Sequence, residues 1–100
     1  MNNKDNIERF IAHFQNEGTT KVFTNGCCYW FARILCERFW LAVVVYNPIS
    51  GHFAARCAGK IYDITGRIED DGHWVRWSRY AAEEPADALR IKKYCIFKED

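Results

Sequence analysis

Two stretches of helical apolar periodicity, followed by three short strand-like runs broken by tight-turn residues, predict a single α+β domain over residues 1–100. Size agrees, because 100 residues support one modest core and not two. Hydrophobic residues at 49% and aromatics at 16% are generous for filling that core.

The first helix is expected over about residues 4–16. There Ile7, Phe10, Ile11 and Phe14 follow the i, i+3, i+4, i+7 spacing of one face, and Gly18 offers a stop. "TTKVFTNG" reads as a loop, with Thr24 or Asn25 available as an N-cap. The second helix should run from about Cys27 to Phe39. On its wheel Arg33 and Glu37 form a narrow polar side, Cys28, Phe31, Leu35 and Phe39 lie opposite, and Trp30 and Ile34 widen the apolar surface. So small a polar face predicts a mostly buried helix at the centre of the fold, packed on a small antiparallel sheet.

That sheet begins with Val43-Val44-Val45-Tyr46, whose β-branched and aromatic side chains favour a strand. Asn47-Pro48-Ile49-Ser50-Gly51 is a turn, "HFAARC" the second strand, Ala58-Gly59 a second turn and "KIYDI" the third strand. Further on, Asp70-Asp71-Gly72 is expected to start a helix carrying "HWVRWSRYAAEE" that Pro85 closes, and "RIKKYCIFK" reads as a final strand.

Composition excludes several classes of function. A formal net charge of +1 provides no global field for nucleic acid or an anionic membrane. No apolar run approaches the roughly 18 residues that span a bilayer. "MNNKDNIERFIAHFQNEG" mixes charge with apolar residues and reads as something other than a signal peptide. Five cysteines, an odd number at irregular spacing, point to reduced thiols in a cytoplasmic protein.

Chemistry enters at "NGCCYWFARIL". A thiolate in the first turn of a helix faces the positive end of the macrodipole and several free backbone N–H groups, which lower its pKa and raise its reactivity. Cys27 and Cys28 both sit near that position. Cys28 lies on the stripe that packs inward, and Cys27 is turned about 100° away, so Cys28 is the preferred nucleophile and Cys27 the alternative. A cysteine nucleophile needs a base, and the base an orienting group. His52 opens the second strand and Asp63 lies on the third. A two-residue Ala58-Gly59 loop opposes Cys57 to Lys60 and Ala54 to Asp63, which makes His52 the diagonal neighbour of Asp63 on one face. A register shifted by one residue places them on opposite faces. Singly, each residue has a plainer reading: a buried thiol, a hydrogen-bonded structural histidine, a turn aspartate. Cys36, Cys57 and Cys95 are read as core.

"GCCYWFA" (26–32), "GHF" (51–53) and "YDITG" (62–66) together resemble compact papain-like cysteine hydrolases of the NlpC and CHAP types, over about residues 22–66. They are also similar to small phage-associated proteins. The resemblance implies a papain-like fold, with the nucleophile at the start of the central helix, the base on the first residues of the following strand and a polar residue on the next strand. It implies a thiol hydrolase or acyltransferase acting on an amide or peptide bond through Cys28, His52 and Asp63, without a cofactor. The Cys28 N–H with a donor from Thr24 or Asn25 would form the oxyanion hole.

Three other readings compete with this one. A metal site built from Cys27, Cys28, His52 and Cys57 lacks any C-x₂-C pair, and adjacent cysteines chelate poorly, so no metal is expected. Trp74, Trp77 and Tyr80, interleaved with Arg76 and Arg79, could stack on single-stranded nucleic acid. Near-zero net charge favours instead a helix packing its aromatics on the sheet, or a cleft wall against substrate, and no nucleic acid is expected. The main alternative is a non-catalytic phage-type protein on the same scaffold that binds and inhibits a host enzyme or defence complex, a CRISPR system included. Oligomeric state is left open, since Trp30, Trp40 and Trp74 suit a core or an interface.

Overall fold

The structure, a computed structural model, describes residues 6–15 and 28–93. The first helix, α1 (Asn6–Phe14), falls within the expected span and buries Ile7 and Ile11. Phe10 and Phe14 of the same stripe pack on each other, with Phe10 also against Phe39 and Phe14 against Phe31. The central helix α2 (Cys28–Arg38) buries Phe31, Ala32 and Leu35. Its polar side is wider than the wheel suggests: Arg33 and Glu37 pair in solvent at 3.1 Å, and Trp30 is 45% exposed rather than part of the buried surface. One side of α2 therefore faces the sheet and the other faces water.

Three strands follow as expected, β1 (Val43–Asn47), β2 (His52–Cys57) and β3 (Lys60–Asp63), and two short ones are added, β4 (Gly66–Ile68) and β5 (Val75–Arg76). All pairings are antiparallel and the order across the sheet is β4-β3-β2-β1-β5. The β2–β3 turn has positive φ at both central residues, 53° at Ala58 and 78° at Gly59. That is the twist a two-residue hairpin loop requires, and it sets Cys57 opposite Lys60, Arg56 opposite Ile61 and Ala55 opposite Tyr62.

Alternation then sorts the side chains. On one face Phe53, Ala55 and Tyr62 meet the helices. Ala55 and Tyr62 join Ile7, Ile11, Phe31, Leu35 and Ile64 in one cluster, and Phe53 joins Tyr46, Trp77, Ala88 and Ile91 in another. On the opposite face Val45, Ala54 and Ile61 are buried beneath Trp74, with Val43 and Ile68 at the margin.

The segment after β4 departs from the expected single helix. Residues 75–76 pair with the free edge of β1, Val45 opposite Arg76 and Tyr46 opposite Val75, which satisfies backbone groups a helix would leave exposed there. The helix α3 begins only at Trp77 (Trp77–Glu83). Trp74 therefore lies on one face of the sheet, while Trp77 and Tyr80 lie on the other against Tyr46. They do not form one aromatic stripe.

Pro85 closes α3 as expected and also opens α4 (Pro85–Ile91), because its fixed φ suits the first helical turn. The final strand expected over "RIKKYCIFK" is corrected for its described part. Arg90 and Ile91 end α4, Lys92 has helical dihedrals, and the i, i+3 pair Ala88 and Ile91 is buried against the sheet. Residues 94–98 of that stretch, Cys95 among them, lie outside the described residues. Among the described residues no helix is long and apolar enough to cross a membrane.

Candidate functional site

The start of β2 gathers the chemistry. The His52 Nε2 lies 2.9 Å from the Asp63 Oδ2. The two side chains share a face because the Ala58-Gly59 loop fixes the register, leaving His52 diagonal to Asp63. Asp63 is 9% exposed, and its second oxygen is also occupied. The Oδ1 accepts the Thr65 N–H at 2.8 Å and, in a short hydrogen bond, the Thr65 hydroxyl. An aspartate that bonds the backbone two residues on is the ordinary chemistry of a turn. Here it also locks the carboxylate that faces the imidazole.

Cys28 is the first residue of α2 and is half-buried. Its thiol and the His52 imidazole lie within electrostatic range, and each shifts the other's pKa. With Nε2 engaged by Asp63, the ring nitrogen left for the sulfur is Nδ1. Two backbone groups also serve the sulfur, the N–H of Tyr29 and the N–H of Phe53. The β2–β3 ladder runs from Cys57–Lys60 to Ala55–Tyr62, and nearer the start of β2 the Phe53 N–H faces the Cys28 sulfur.

The electrostatics follow from these contacts. Burial pushes the Cys28 thiol up, but the His52 hydrogen bond, the Phe53 N–H, the imidazolium charge and the Tyr29 N–H outweigh it, and its pKa lies below the ordinary value. His52 is raised to about 9, first by its bond to Asp63 and then by its bond to Cys28, against burial, which lowers it. Burial also raises Asp63, yet the bonds from His52 and Thr65 hold it below the usual carboxylate range. A thiol moved down and an imidazole moved up favour a thiolate–imidazolium pair near neutral pH. Cys36 contrasts with this, since burial pushes its thiol up.

The surroundings brace the histidine. Trp74 meets the His52 ring edge to face, with centroids 5.8 Å apart. Asn47 pairs with His52 across the β1–β2 turn and is 2% exposed. Its side-chain oxygen accepts the N–H groups of Ile49 and Ser50, shaping the loop that presents His52. Its amide donates to both oxygens of Asp71, at 3.2 and 3.1 Å, which anchors the segment carrying Trp74.

Cys28, His52 and Asp63 are thus brought together, while Thr24, Asn25 and Cys27 lie outside the described residues. Cys57 is at the far end of β2 from His52 and packs near Cys36, away from Cys28. Among the described residues no group of three or more His, Cys, Asp or Glu side chains could hold a metal. Sequence reasoning missed Thr65 and the Phe53 N–H, and it named Trp74 as a cleft wall but on a helix rather than against His52. The Asp63-Ile64-Thr65-Gly66 turn is a readable signal for the first; a backbone donor carries no residue signature at all.

Searches of curated proteins and of solved structures gave no match. A family model does match, over residues 6–95, and its description is Phage YunG-like protein. That span includes the helix that carries Cys28, the strands that carry His52 and Asp63, and the segment that carries Trp74. The chain belongs to the Phage YunG-like family and is a small phage-associated protein.

Proposed function

We propose that this protein is a papain-like thiol hydrolase or acyltransferase acting on an amide or peptide bond, with Cys28 as nucleophile, His52 as acid–base and Asp63 as the group that orients His52. The observation that carries the reading is the convergence of three groups: the Cys28 sulfur, in the first turn of a helix, lies beside an imidazole whose Nε2 is 2.9 Å from the Asp63 carboxylate.

In the proposed reaction the Cys28 thiolate attacks the acyl carbon and the carbonyl π electrons move to oxygen. The developing oxyanion faces the start of α2, where the Cys28 N–H has no intrahelical acceptor. Thr24 or Asn25 would supply the second donor. Collapse of the adduct breaks the C–N bond, and the His52 imidazolium gives its proton to the departing amine. Water, or another nucleophile in a transfer, then attacks the thioester while neutral His52 takes its proton. Release of the acyl product restores thiolate and imidazolium. Asp63 keeps Nε2 protonated throughout and Nδ1 turned toward sulfur.

Site-resolved alkylation tests this. Cys28 should react with iodoacetamide far faster than Cys36 at neutral pH, and His52→Ala should remove the advantage. Equal, slow labelling of both cysteines rules the nucleophile out. The phage-family match also favours a second reading, a protein that binds and inhibits a host enzyme or defence complex without turnover. A stable complex with a host protein, unchanged by Cys28→Ala, would select it.

A further inference from the structure

We propose that a groove at the C-terminal end of α2, where Arg9 and Arg38 flank exposed Trp40 and Leu41, docks an acidic protein segment carrying an apolar anchor. The groove, about 530 Å³, lies between α1, the end of α2 and the connector into β1. Cys28 and Arg38 are the two ends of α2, so the groove sits about 15 Å along the helix from the thiol. It is separate from the Cys28 site and does not depend on turnover there.

Its walls are apolar and its charge has one sign. Phe10 and Phe39 form an aromatic floor, in contact edge to face at 5.5 Å. Trp40 is 87% exposed and Leu41 60%, two adjacent large apolar side chains left in water. The Arg38 guanidinium lies over both rings, 5.7 Å from the Phe10 centroid and 5.1 Å from that of Phe39. These ring contacts hold the guanidinium at the mouth of the groove, where its N–H groups can grip a ligand carboxylate with two bonds. His13 and Arg9 line the same groove, and among the described residues no carboxylate does.

The other ion pairs sharpen the contrast. Arg33, Arg56, Arg79 and Arg90 each have an acidic partner. Among the described residues Arg9, Arg38, Arg67 and Arg76 have no ion-pair partner, and of these Arg9 and Arg38 line the groove.

Charge complementarity therefore asks for a ligand with carboxylates, and exposed Trp40 and Leu41 ask for an apolar side chain beside them. Tryptophan and arginine in such a hollow are the residue types that dominate protein–protein affinity. A single-stranded nucleic acid fits less well, because its grip requires a cationic track along successive phosphates. Here the cations form one cluster.

The test uses the full chain and three labelled probes: a short peptide of alternating aspartate and leucine, its lysine-for-aspartate counterpart, and a single-stranded oligonucleotide. Fluorescence anisotropy should show binding of the acidic peptide alone, weakened by added salt. The double variant Arg9→Glu/Arg38→Glu and the single variant Trp40→Ala, all at exposed positions, should each weaken it about tenfold or more, while Cys28→Ala leaves it unchanged. The proposal is overturned if the acidic peptide does not bind, if the groove variants leave its affinity unchanged, or if Cys28→Ala abolishes binding. It is equally overturned if the oligonucleotide binds as tightly through the same residues, or if the protein alone self-associates and Trp40→Ala abolishes that.

Discussion

Replacing Asp63 by asparagine keeps the shape of the side chain, removes the charge facing His52 and leaves one acceptor oxygen for the Thr65 donors. His52 titrates at about 9 rather than 6.5, and its bond to Asp63 is the first cause. A histidine whose folded pKa is raised contributes stability in full below the unfolded value, lost as pH rises through the folded value. With those two values the contribution is about 2–3 kcal/mol near pH 7 and close to nothing near pH 10. Asp63 has the opposite sign. Its depressed pKa contributes stability above the ordinary carboxylate value, lost as pH falls through the folded one.

The Asp63→Asn variant should therefore lower the His52 pKa by about one unit or more and lose about 1–2 kcal/mol near pH 7, with a smaller loss near pH 10. Proton NMR can follow the imidazoles directly, since the chain has only three histidines, His13, His52 and His73. Urea unfolding at the two pH values measures the stability difference. A wild-type His52 midpoint near 6.5, or a midpoint unmoved by Asp63→Asn, would refute the reasoning.

Leu35→Ala should cost about 2–5 kcal/mol in urea unfolding, because Leu35 is fully buried between α2 and the sheet. Ala58 occupies the left-handed region at φ 53° with a Cβ that disfavours it, so Ala58→Gly should stabilise the hairpin by up to about 1 kcal/mol, read as a raised Tm. Asn47→Ala leaves the Ile49 and Ser50 N–H groups without their acceptor and Asp71 without the Asn47 amide, and should cost about 1–3 kcal/mol. Because that turn presents His52, the same variant should also slow Cys28 alkylation; an unchanged rate would show that the turn does not position the imidazole.

Legibility in the sequence tracked the locality of each interaction. The β2–β3 register could be read because Ala58 and Gly59 are adjacent residues whose turn chemistry fixes parity for the whole hairpin. α1 and α2 were readable from apolar spacing. Trp30 was not, since a wheel identifies apolar residues without knowing how much facing surface exists to cover them. β5 spans only two residues, and what creates it is the open edge of β1, some thirty positions earlier in the chain. Trp74 was assigned to the wrong element for the same reason. At the site, the Cys-His-Asp order suggested the partners, while the Phe53 N–H could emerge only once α2 was docked beside β2.

The way the three side chains converge has a kinetic consequence. Cys28 comes from the helical layer, while His52 and Asp63 project from the far face of the sheet, and they meet only around the start of β2. A chain with its helices and hairpins formed but its layers apart would carry an ordinary thiol. Chemical reactivity at one sulfur atom is thus a gauge of layer docking. Followed during refolding, it would time the last tertiary step, after the backbone signals of helix and strand have already appeared.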